Sequence, residues 1–353
     1  MFKRKFSPLR LFLCALTVAL PVASWAANPY QSRNTHFGVS GSNVKDHTRI
    51  YCCGGTLGSL LTAGSTQYIL SNNHILARQD RATPGENISQ PGLIDNGCQP
   101  ATIVADFTAA PTLGSNVDAA VAALRAGKMD STGFIEGIGT ISSVTKAPAV
   151  GLAVEKSGRT TGTTAGTISS INTSVNVQYQ IRCGSGKKYI ISYTNQIVIN
   201  GSGFSAGGDS GSLIVSNTST CHQPVGLLFA GSSTDTIANP INQVLNKVGT
   251  ALGHSVSFVG GTCTSAATAQ ATEQNLELSQ QAMDHASQVL ERNRHDLMLQ
   301  PGVLGVGVGA SDDRQQAAVI VYVDNTAGAR PQLPAQVEGV PVKEHLTDRF
   351  IAF

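Results

Sequence analysis

Hydrophobic and polar residues alternate in short runs from residue 27 to about residue 258. The clearest runs hold three to six apolar or alternating positions and begin at Tyr68, Ala101, Ala119, Gly166, Tyr189 and Gln196. Gly, Asn, Asp and Ser separate them, a pattern typical of a β-barrel or a β-sandwich and not of alternating βαβ units. The first helix predicted by the pattern covers Ile237 to Leu252, with Pro240 near its start.

The pattern changes after residue 259. Residues 260–272 are rich in Gly, Thr, Ser and Ala and predict a linker between domains. Apolar residues then recur with a helical period from Glu273 to Leu299, and Pro301 and Gly302 end the helix. Strand-like runs follow at residues 303–308, 317–323 and 339–342. A helix laid on a small sheet predicts a small α+β domain over residues 273–353.

Residues 1–26 have the features of a signal peptide. Four basic residues flank or precede an apolar run at 11–22, and Ser24-Trp25-Ala26 supplies the small residues needed for cleavage after Ala26. The apolar run is too short for a transmembrane helix, so we expect no membrane anchor. The sequence predicts a secreted or periplasmic protein.

Removal of this segment changes the charge of the chain. Residues 1–26 carry four of the 24 Lys and Arg and none of the 22 Asp and Glu, so the remainder has a net charge near −2. A weakly acidic chain without a basic patch does not favour nucleic acid or a membrane surface as a partner.

Six cysteines follow the predicted cleavage site: Cys52, Cys53, Cys98, Cys183, Cys221 and Cys263. An even number in an exported protein predicts three disulfides, with about 15 possible pairings. We favour Cys183–Cys221, which would brace the loops on either side of Ser210. A metal site is the alternative, but no C-x-x-C or paired-histidine spacing supports one. We therefore expect neither a metal nor a cofactor.

The segment from Phe204 to Val215, Phe-Ser-Ala-Gly-Gly-Asp-Ser-Gly-Ser-Leu-Ile-Val, places Ser210 on a glycine-rich turn before an apolar strand. Such a turn can direct two backbone N–H groups at one oxygen atom, which stabilises an oxyanion. Serine also needs a base and a group that orients the base. His74, after the run that begins at Tyr68, and Asp118, before the run at 119–124, are the best candidates.

The order His74, Asp118, Ser210 and the Gly-Asp-Ser-Gly sequence resemble those of the trypsin/chymotrypsin-fold serine peptidases, bacterial secreted members in particular. The resemblance covers roughly residues 35–255. Ser212 stands where glycine is more usual, and Asn73 precedes His74 where the family more commonly has alanine. The resemblance implies a mainly β fold with two six-stranded antiparallel barrels in a peptidase domain, residues 27–259, that divides near residues 126–150.

The resemblance also implies an activity. Ser210 would be the nucleophile, His74 the base and Asp118 the orienting group, with the backbone N–H groups of Gly208 and Ser210 as the oxyanion hole. The implied function is that of an exported serine endopeptidase, which forms an acyl-enzyme with a protein or peptide substrate. The alternative is a catalytically silent, peptidase-like binding protein.

Three further expectations depend on the same resemblance. Some bacterial members pair an internal arginine with the aspartate before the nucleophile, so we predict an ion pair between Arg159 and Asp209; a surface arginine is the alternative. Phe204 corresponds to a position in the specificity pocket, although a core position is slightly preferred. No acidic residue lies there, which disfavours cleavage after Lys or Arg and favours an apolar or small side chain.

The role of residues 273–353 stays open at this point. An intramolecular chaperone or inhibitor, a partner-binding module and a stabilising appendage are the alternatives. The domain would accordingly contact either the peptidase domain or a partner.

Overall fold

The computed structural model describes residues 35–218, 221–263 and 278–353. The predicted signal peptide, residues 1–26, lies outside the described residues, as does most of the predicted linker, 260–272. Within the described ranges, no helix has both the length and the apolar character needed to cross a membrane.

The first barrel is formed by residues 39–124. Its strands are β1 (Val39–Asn43), β2 (Gly55–Leu57), β3 (Ser59–Ala63), β4 (Thr66–Ser71), β5 (Asn87–Gln90), β6 (Thr102–Ala109) and β7 (Ala120–Leu124). Hydrogen-bonded neighbours run β2-β1-β5-β6-β7-β4-β3, and all pairs are antiparallel. Since Gly58 alone separates β2 from β3, the two form one bent strand that pairs with β1 at one end and β4 at the other. The sheet therefore closes with six strands.

Residues 125–152 connect this barrel to the second and contain a short pair, β8 (Phe134–Ile135) and β9 (Gly139–Thr140). The strands of the second barrel are β10 (Ala153–Gly158), β11 (Gly162–Gln180), β12 (Lys188–Asn200), β13 (Leu213–Ser216), β14 (Pro224–Gly231) and β15 (Asp235–Pro240). Neighbours run β10-β13-β14-β15-β12-β11, and β11 pairs again with β10. The predicted mainly β fold with two six-stranded antiparallel barrels is thus confirmed.

The predicted helix at 237–252 begins later than expected. Its first residues continue β15, where Ile237 and Ala238 pair with strands on both sides, and α1 covers Ile241–Leu252. Pro240 is the N-cap, because its fixed φ suits the entry to a helix and its missing N–H costs no hydrogen bond there. Val244 and Val248 bury against the core of the first barrel, and β16 (Ser257–Phe258) extends that barrel by pairing with β3.

The remaining elements form the predicted α+β part of the chain. They are α2 (Gln280–Met298), β17 (Val303–Ala310), β18 (Ala317–Asp324), β19 (Gln336–Val337), β20 (Val340–Thr347) and β21 (Ile351–Ala352). The strands do not form a separate sheet: β17 pairs with residues 170–175 of β11 and so extends the sheet of the second barrel. Met283, Ala286 and Leu290 of α2 pack on the face of β17 and β18.

Three disulfides are present, as predicted, but the favoured pair was wrong. The bonds are Cys52–Cys98, Cys53–Cys183 and Cys221–Cys263. Cys183 lies at the turn between β11 and β12, next to Gly184, where an added Cβ would lie 2.8 Å from the ring of Tyr51 of the first barrel. The turn therefore reaches Cys53 and not the loop after β13, and its disulfide joins the two barrels.

Candidate active site

His74 lies at the end of a core strand. β4 ends at Ser71, and a π-helical turn, Asn73–Ala77, follows at once. The Asn73 side chain donates to the carbonyl oxygen of Pro111 (2.9 Å), which anchors the turn. His74 is 8% exposed, so its imidazole is held in the interior with one edge accessible.

Asp118 lies two residues before β7, the strand that pairs with β4, and is fully buried. Its Oδ2 lies 2.6 Å from His74 Nδ1, and its Oδ1 accepts from the backbone N–H of His74 (3.1 Å). The side chain of Asn72 donates to the Asp118 carbonyl oxygen (2.6 Å), and the Asp118 N–H donates to Asn239 (2.9 Å). The register between two core strands thus fixes the imidazole against the carboxylate.

Tyr179 is a residue of the site that sequence reasoning missed. Its hydroxyl donates to Asp118 Oδ2 (2.8 Å) and lies 2.7 Å from the hydroxyl of Tyr193. Burial, with the Asp118 carboxylate close by, raises the pKa of Tyr179 well above its usual range, so the hydroxyl stays protonated as a donor. Strand alternation gave a signal, because Val175, Val177 and Tyr179 share one buried face of β11.

Ser210 is held between the two barrels. Its carbonyl oxygen accepts from the N–H of Thr56 on β2 (2.8 Å), and its hydroxyl donates to the carbonyl oxygen of Phe229 on β14 (3.1 Å). Gly58 allows this approach, since a Cβ at that position would overlap the carbonyl oxygen of Gly211. Gly208 has φ +99°, a conformation that favours glycine. Within the described ranges, the N–H groups of Gly208 and Ser210 have no intramolecular acceptor.

The predicted ion pair between Arg159 and Asp209 is corrected by the structure. The cation at Asp209 is Lys156, with Nζ 3.5 Å from Oδ2 and both side chains fully buried. Arg159 instead forms a two-point pair with Asp95, with both N···O distances at 2.6 Å. The physical reason is strand alternation: Lys156 shares the inward face of β10 with Val154, whereas Arg159 follows the last residue of that strand.

The Asp209 carboxylate is otherwise satisfied by N–H and O–H donors. It accepts from the backbone of Thr160 (2.8 Å), Thr161 (3.1 Å) and Ala206 (3.0 Å) and from the Thr161 hydroxyl (2.7 Å). Burial lowers the pKa of Lys156, although the Asp209 carboxylate opposes that effect. The residue before Ser210 is therefore fixed by a buried ion pair and four hydrogen bonds.

The second ring nitrogen of His74 contacts the backbone of Phe353. Nε2 lies 2.9 Å from the carbonyl oxygen of Phe353, and the N–H of Phe353 donates to Phe229 (3.4 Å), the same carbonyl that accepts from Ser210. The structure thus brings His74 and Asp118 into direct contact, and Ser210 shares the Phe229 carbonyl oxygen as an acceptor with the backbone of Phe353. Among the described residues, Ser210 and His74 do not form a direct hydrogen bond.

Electrostatics favour the protonated form of His74 in this arrangement. Burial disfavours the imidazolium, but the Asp118 carboxylate, the hydrogen bond to it and the Phe353 carbonyl oxygen outweigh burial and raise the pKa of His74. Asp46 adds a smaller effect of the same sign, and the edge of the neutral Tyr179 ring faces the imidazole at 6.1 Å between centroids. Since only imidazolium donates from both nitrogens, the two contacts fit a positively charged ring.

Phe204 is a core residue, as preferred from the sequence. It is 3% exposed, and it belongs to the buried cluster of the second barrel with Val154, Ile168 and Leu228. The half-buried ring of Phe353 packs against this cluster. Among the residues that the structure describes, no group of three or more His, Cys, Asp or Glu side chains is arranged to hold a metal ion.

Comparison with known proteins gives structural similarity only. No protein-family model and no curated relative matches the chain. A glutamic-acid-specific serine protease is similar to it with 20% identity over 63% of this chain and 98% of that one, at a TM-score of 0.43. Thermobifida fusca protease A (19% identity; 65% and 100% covered) and Nocardiopsis protease (16%; 64% and 98%) are also similar, each at a TM-score of 0.43.

Proposed function

We propose that the protein is a serine endopeptidase that hydrolyses peptide bonds through Ser210, His74 and Asp118. One observation carries the proposal: an imidazole held by a buried carboxylate directs its second nitrogen at the backbone of Phe353, and the Ser210 hydroxyl, on a glycine-rich turn, donates to the Phe229 carbonyl oxygen that also accepts from the Phe353 N–H. This is the set of groups that acyl transfer to serine requires.

In the proposed reaction the Ser210 hydroxyl turns from the Phe229 carbonyl toward neutral His74. Its Oγ attacks the substrate carbonyl carbon while His74 Nε2 takes the hydroxyl proton. The resulting oxyanion accepts hydrogen bonds from the N–H groups of Gly208 and Ser210. His74 then protonates the departing amine, an acyl-enzyme remains on Ser210, and water hydrolyses it by the same proton transfers in reverse order.

Asp118 has two tasks in this reaction. It fixes the imidazole with Nδ1–H toward its carboxylate, so that Nε2 is the basic atom, and it stabilises the imidazolium that forms. The donor from Tyr179 and the backbone N–H of His74 keep the carboxylate itself fixed. Both tyrosine and aspartate therefore act on the substrate only through His74.

We further propose that the protein works outside the cytoplasm. Residues 1–26 have the composition of a signal peptide, and three disulfides are typical of proteins that fold in an oxidising compartment. Analysis of the N-terminus of the protein recovered from the periplasm and from the medium tests this. A chain that keeps residues 1–26 in the cytoplasm would contradict the proposal.

Labelling with a fluorophosphonate tests the activity itself, because this probe reacts with a serine only when a base activates it. We expect an adduct on Ser210, located by peptide mass mapping, and none in Ser210→Ala. His74→Ala should lose about a million-fold in turnover, by comparison with another dissected triad. Peptide binding without any adduct or cleavage would instead favour the silent binding protein.

A further inference from the structure

Residues 351–353 lie in the candidate site as an added β-strand. β21 pairs antiparallel with β14, with Ala352 opposite Ala230 and Ile351 opposite Gly231. It also pairs in parallel with β11 at Gln178. β14 is the strand that carries Phe229, so the segment runs along the edge of the second barrel directly toward Ser210 and His74.

The backbone of Phe353 lies against the candidate catalytic base and the strand next to it. Its N–H donates to Phe229 (3.4 Å) and its carbonyl oxygen faces His74 Nε2 (2.9 Å). The pairing direction places Ile351 and Ala352 before that carbonyl, on the side that becomes the acyl group when a peptide is cleaved. Strand addition of this kind gives affinity through the backbone and specificity through side-chain pockets.

The ring of Phe353 fits a depression of the second barrel. A Cβ on Gly231 would lie 2.5 Å from Cζ of Phe353, so the absence of a side chain at Gly231 makes room for the ring. The ring also packs against the cluster that includes Phe204 and Leu228. The depression is therefore lined by apolar atoms and is wide enough for a phenyl group.

We infer that residues 351–353 inhibit the site in cis by binding as the acyl side of a peptide substrate, and that the depression holding Phe353 selects substrates with an aromatic residue before the scissile bond. This inference rests on the proposed peptidase function. It assigns residues 278–353 the role of an inhibitor among the alternatives that the sequence leaves open.

The rest of the chain holds the segment at this site. Phe350 is fully buried among Tyr193, Phe229 and other apolar residues, and its carbonyl oxygen accepts from Gln178 (2.9 Å). Three residues that precede Phe350 make polar contacts with residues 232–235. His345 contacts Asp235 (3.0 Å), Thr347 contacts Ser232 (2.8 Å) and Asp348 contacts Ser233 (2.8 Å). Because these contacts tether the segment, its effective concentration at the site is about millimolar or higher. Three residues are therefore enough to block the groove, which is the surface along β14 that residues 351–353 cover.

While the segment is bound, His74 and Ser210 are not in the states that the proposed reaction needs. His74 Nε2 donates to the carbonyl oxygen of Phe353 and cannot accept a proton at the same time. The Ser210 hydroxyl donates to Phe229 and is not available for attack. Neither the nucleophile nor the base is therefore in the state that the reaction needs while the segment is bound.

The test compares the chain of residues 27–353 with a chain that ends at Phe350, which keeps every anchoring contact described above. We expect fluorophosphonate to label Ser210 about tenfold or more faster in the shortened chain. Phe353→Ala, which keeps the backbone pairing, should give an intermediate rate. Leu346→Ala, an exposed apolar position on β20, is the matched control and should label like the intact chain. Circular dichroism melting verifies that each variant is folded.

Substrates that differ only in the residue before the scissile bond test the inferred preference for an aromatic residue at that position. The shortened chain should cleave a Phe substrate about tenfold or more better than Ala, Lys or Glu substrates. A synthetic peptide of residues 349–353 should inhibit it competitively, and the same peptide with Ala in place of Phe353 should inhibit about ten- to thirtyfold more weakly.

The outcomes separate this inference from the function on which it rests. Equal labelling of the intact and shortened chains would overturn the inhibition and leave the peptidase function in place. Absence of labelling in both folded chains would overturn the function and the inference together. Faster labelling of the shortened chain with a preference for Ala, Lys or Glu would overturn the aromatic specificity.

Discussion

Tyr179→Phe is the sharpest test of how Asp118, the candidate catalytic aspartate, is held. The substitution removes only the hydroxyl that donates to Asp118 (2.8 Å) and keeps the ring and its packing. Asp118 is fully buried, so the lost donor cannot be replaced by solvent. A hydrogen bond to a charged group contributes about 1.5–3 kcal/mol. Because Tyr193 loses its partner as well, we expect the free energy of unfolding to fall by about 2–3 kcal/mol.

Catalysis should respond through His74. Without the Tyr179 donor, the charge of the Asp118 carboxylate is less neutralised and interacts more strongly with the imidazole. The carboxylate itself is less firmly fixed in place, so it orients the imidazole less well for proton transfer. We expect the labelling rate of Ser210, measured in the chain that ends at Phe350, to fall about tenfold, which corresponds to about 1.4 kcal/mol. The acid limb of the rate against pH should move to higher pH, since a stronger carboxylate interaction raises the pKa of His74.

Tyr189→Phe is the matched control. The Tyr189 hydroxyl donates to the neutral side chain of Gln79 (3.1 Å), the Tyr189 ring stacks on Tyr179, and among the described residues the hydroxyl makes no hydrogen bond to Asp118. Its loss should cost about 0.5–1 kcal/mol and leave the pH profile unchanged. Urea unfolding at pH 7 and labelling at a series of pH values measure both effects. If the two variants unfold within about 0.5 kcal/mol of each other and label with the same pH profile, the positioning role of Tyr179 is refuted.

Three other predictions follow from the site. Lys156→Met should lower the free energy of unfolding by about 3–5 kcal/mol in urea, because Asp209 then remains as a buried charge without its cation; a loss below about 1 kcal/mol would contradict this. Gly208→Ala should lower kcat and leave KM nearly unchanged, since the positive φ is strained for alanine and its N–H moves from the oxyanion; an unchanged kcat would argue against the oxyanion hole. Raising the pH should weaken binding of residues 351–353 in the intact chain, because the Phe353 backbone favours protonated His74 and so raises its pKa. Binding is therefore strongest below the pKa that His74 has when the segment is released, and it is lost as the pH rises through the higher pKa that His74 has when the segment is bound. The labelling rate of the intact chain should therefore approach that of the shortened chain as pH increases, and a constant ratio would count against this linkage.

Local sequence order predicted short strands in a barrel or a sandwich and marked the candidate catalytic residues, whereas the two six-stranded barrels followed from the family resemblance. His74 and Asp118 each lie at the end of an apolar run, and adjacent core strands bring such ends together. Ser210 stands on a turn in which Gly211 is required by the close approach of Thr56, since a Cβ on Gly211 would overlap the Thr56 carbonyl oxygen. Each of these signals is contained in a few neighbouring residues, and the register between strands follows from burial of one face.

The contacts that could not be predicted join distant parts of the chain, and the local sequence of one part does not indicate which other part it contacts. Tyr179 lies on a part of β11 that extends past the barrel, so its meeting with Asp118 depends on how far that strand projects. The partner of Cys183 depends on the same projection. Lys156 was within reach of sequence reasoning, because its place on the face of Val154 marks it as inward, but the family resemblance directed attention to Arg159.

The 19-residue strand β11 belongs both to the proposed peptidase barrel and to the sheet that carries the proposed inhibitory segment. Its first part closes the second barrel with β10, and residues 170–175 pair with β17, to which the rest of the C-terminal sheet is joined. A protease that cut away residues 278–353 would leave this stretch of β11 without its neighbour, an open edge that invites association with other chains. Release of residues 351–353 from β14 exposes the groove and leaves β11 paired with β17. A chain built in this way is suited to reversible opening within one intact molecule and poorly suited to one-time activation by excision.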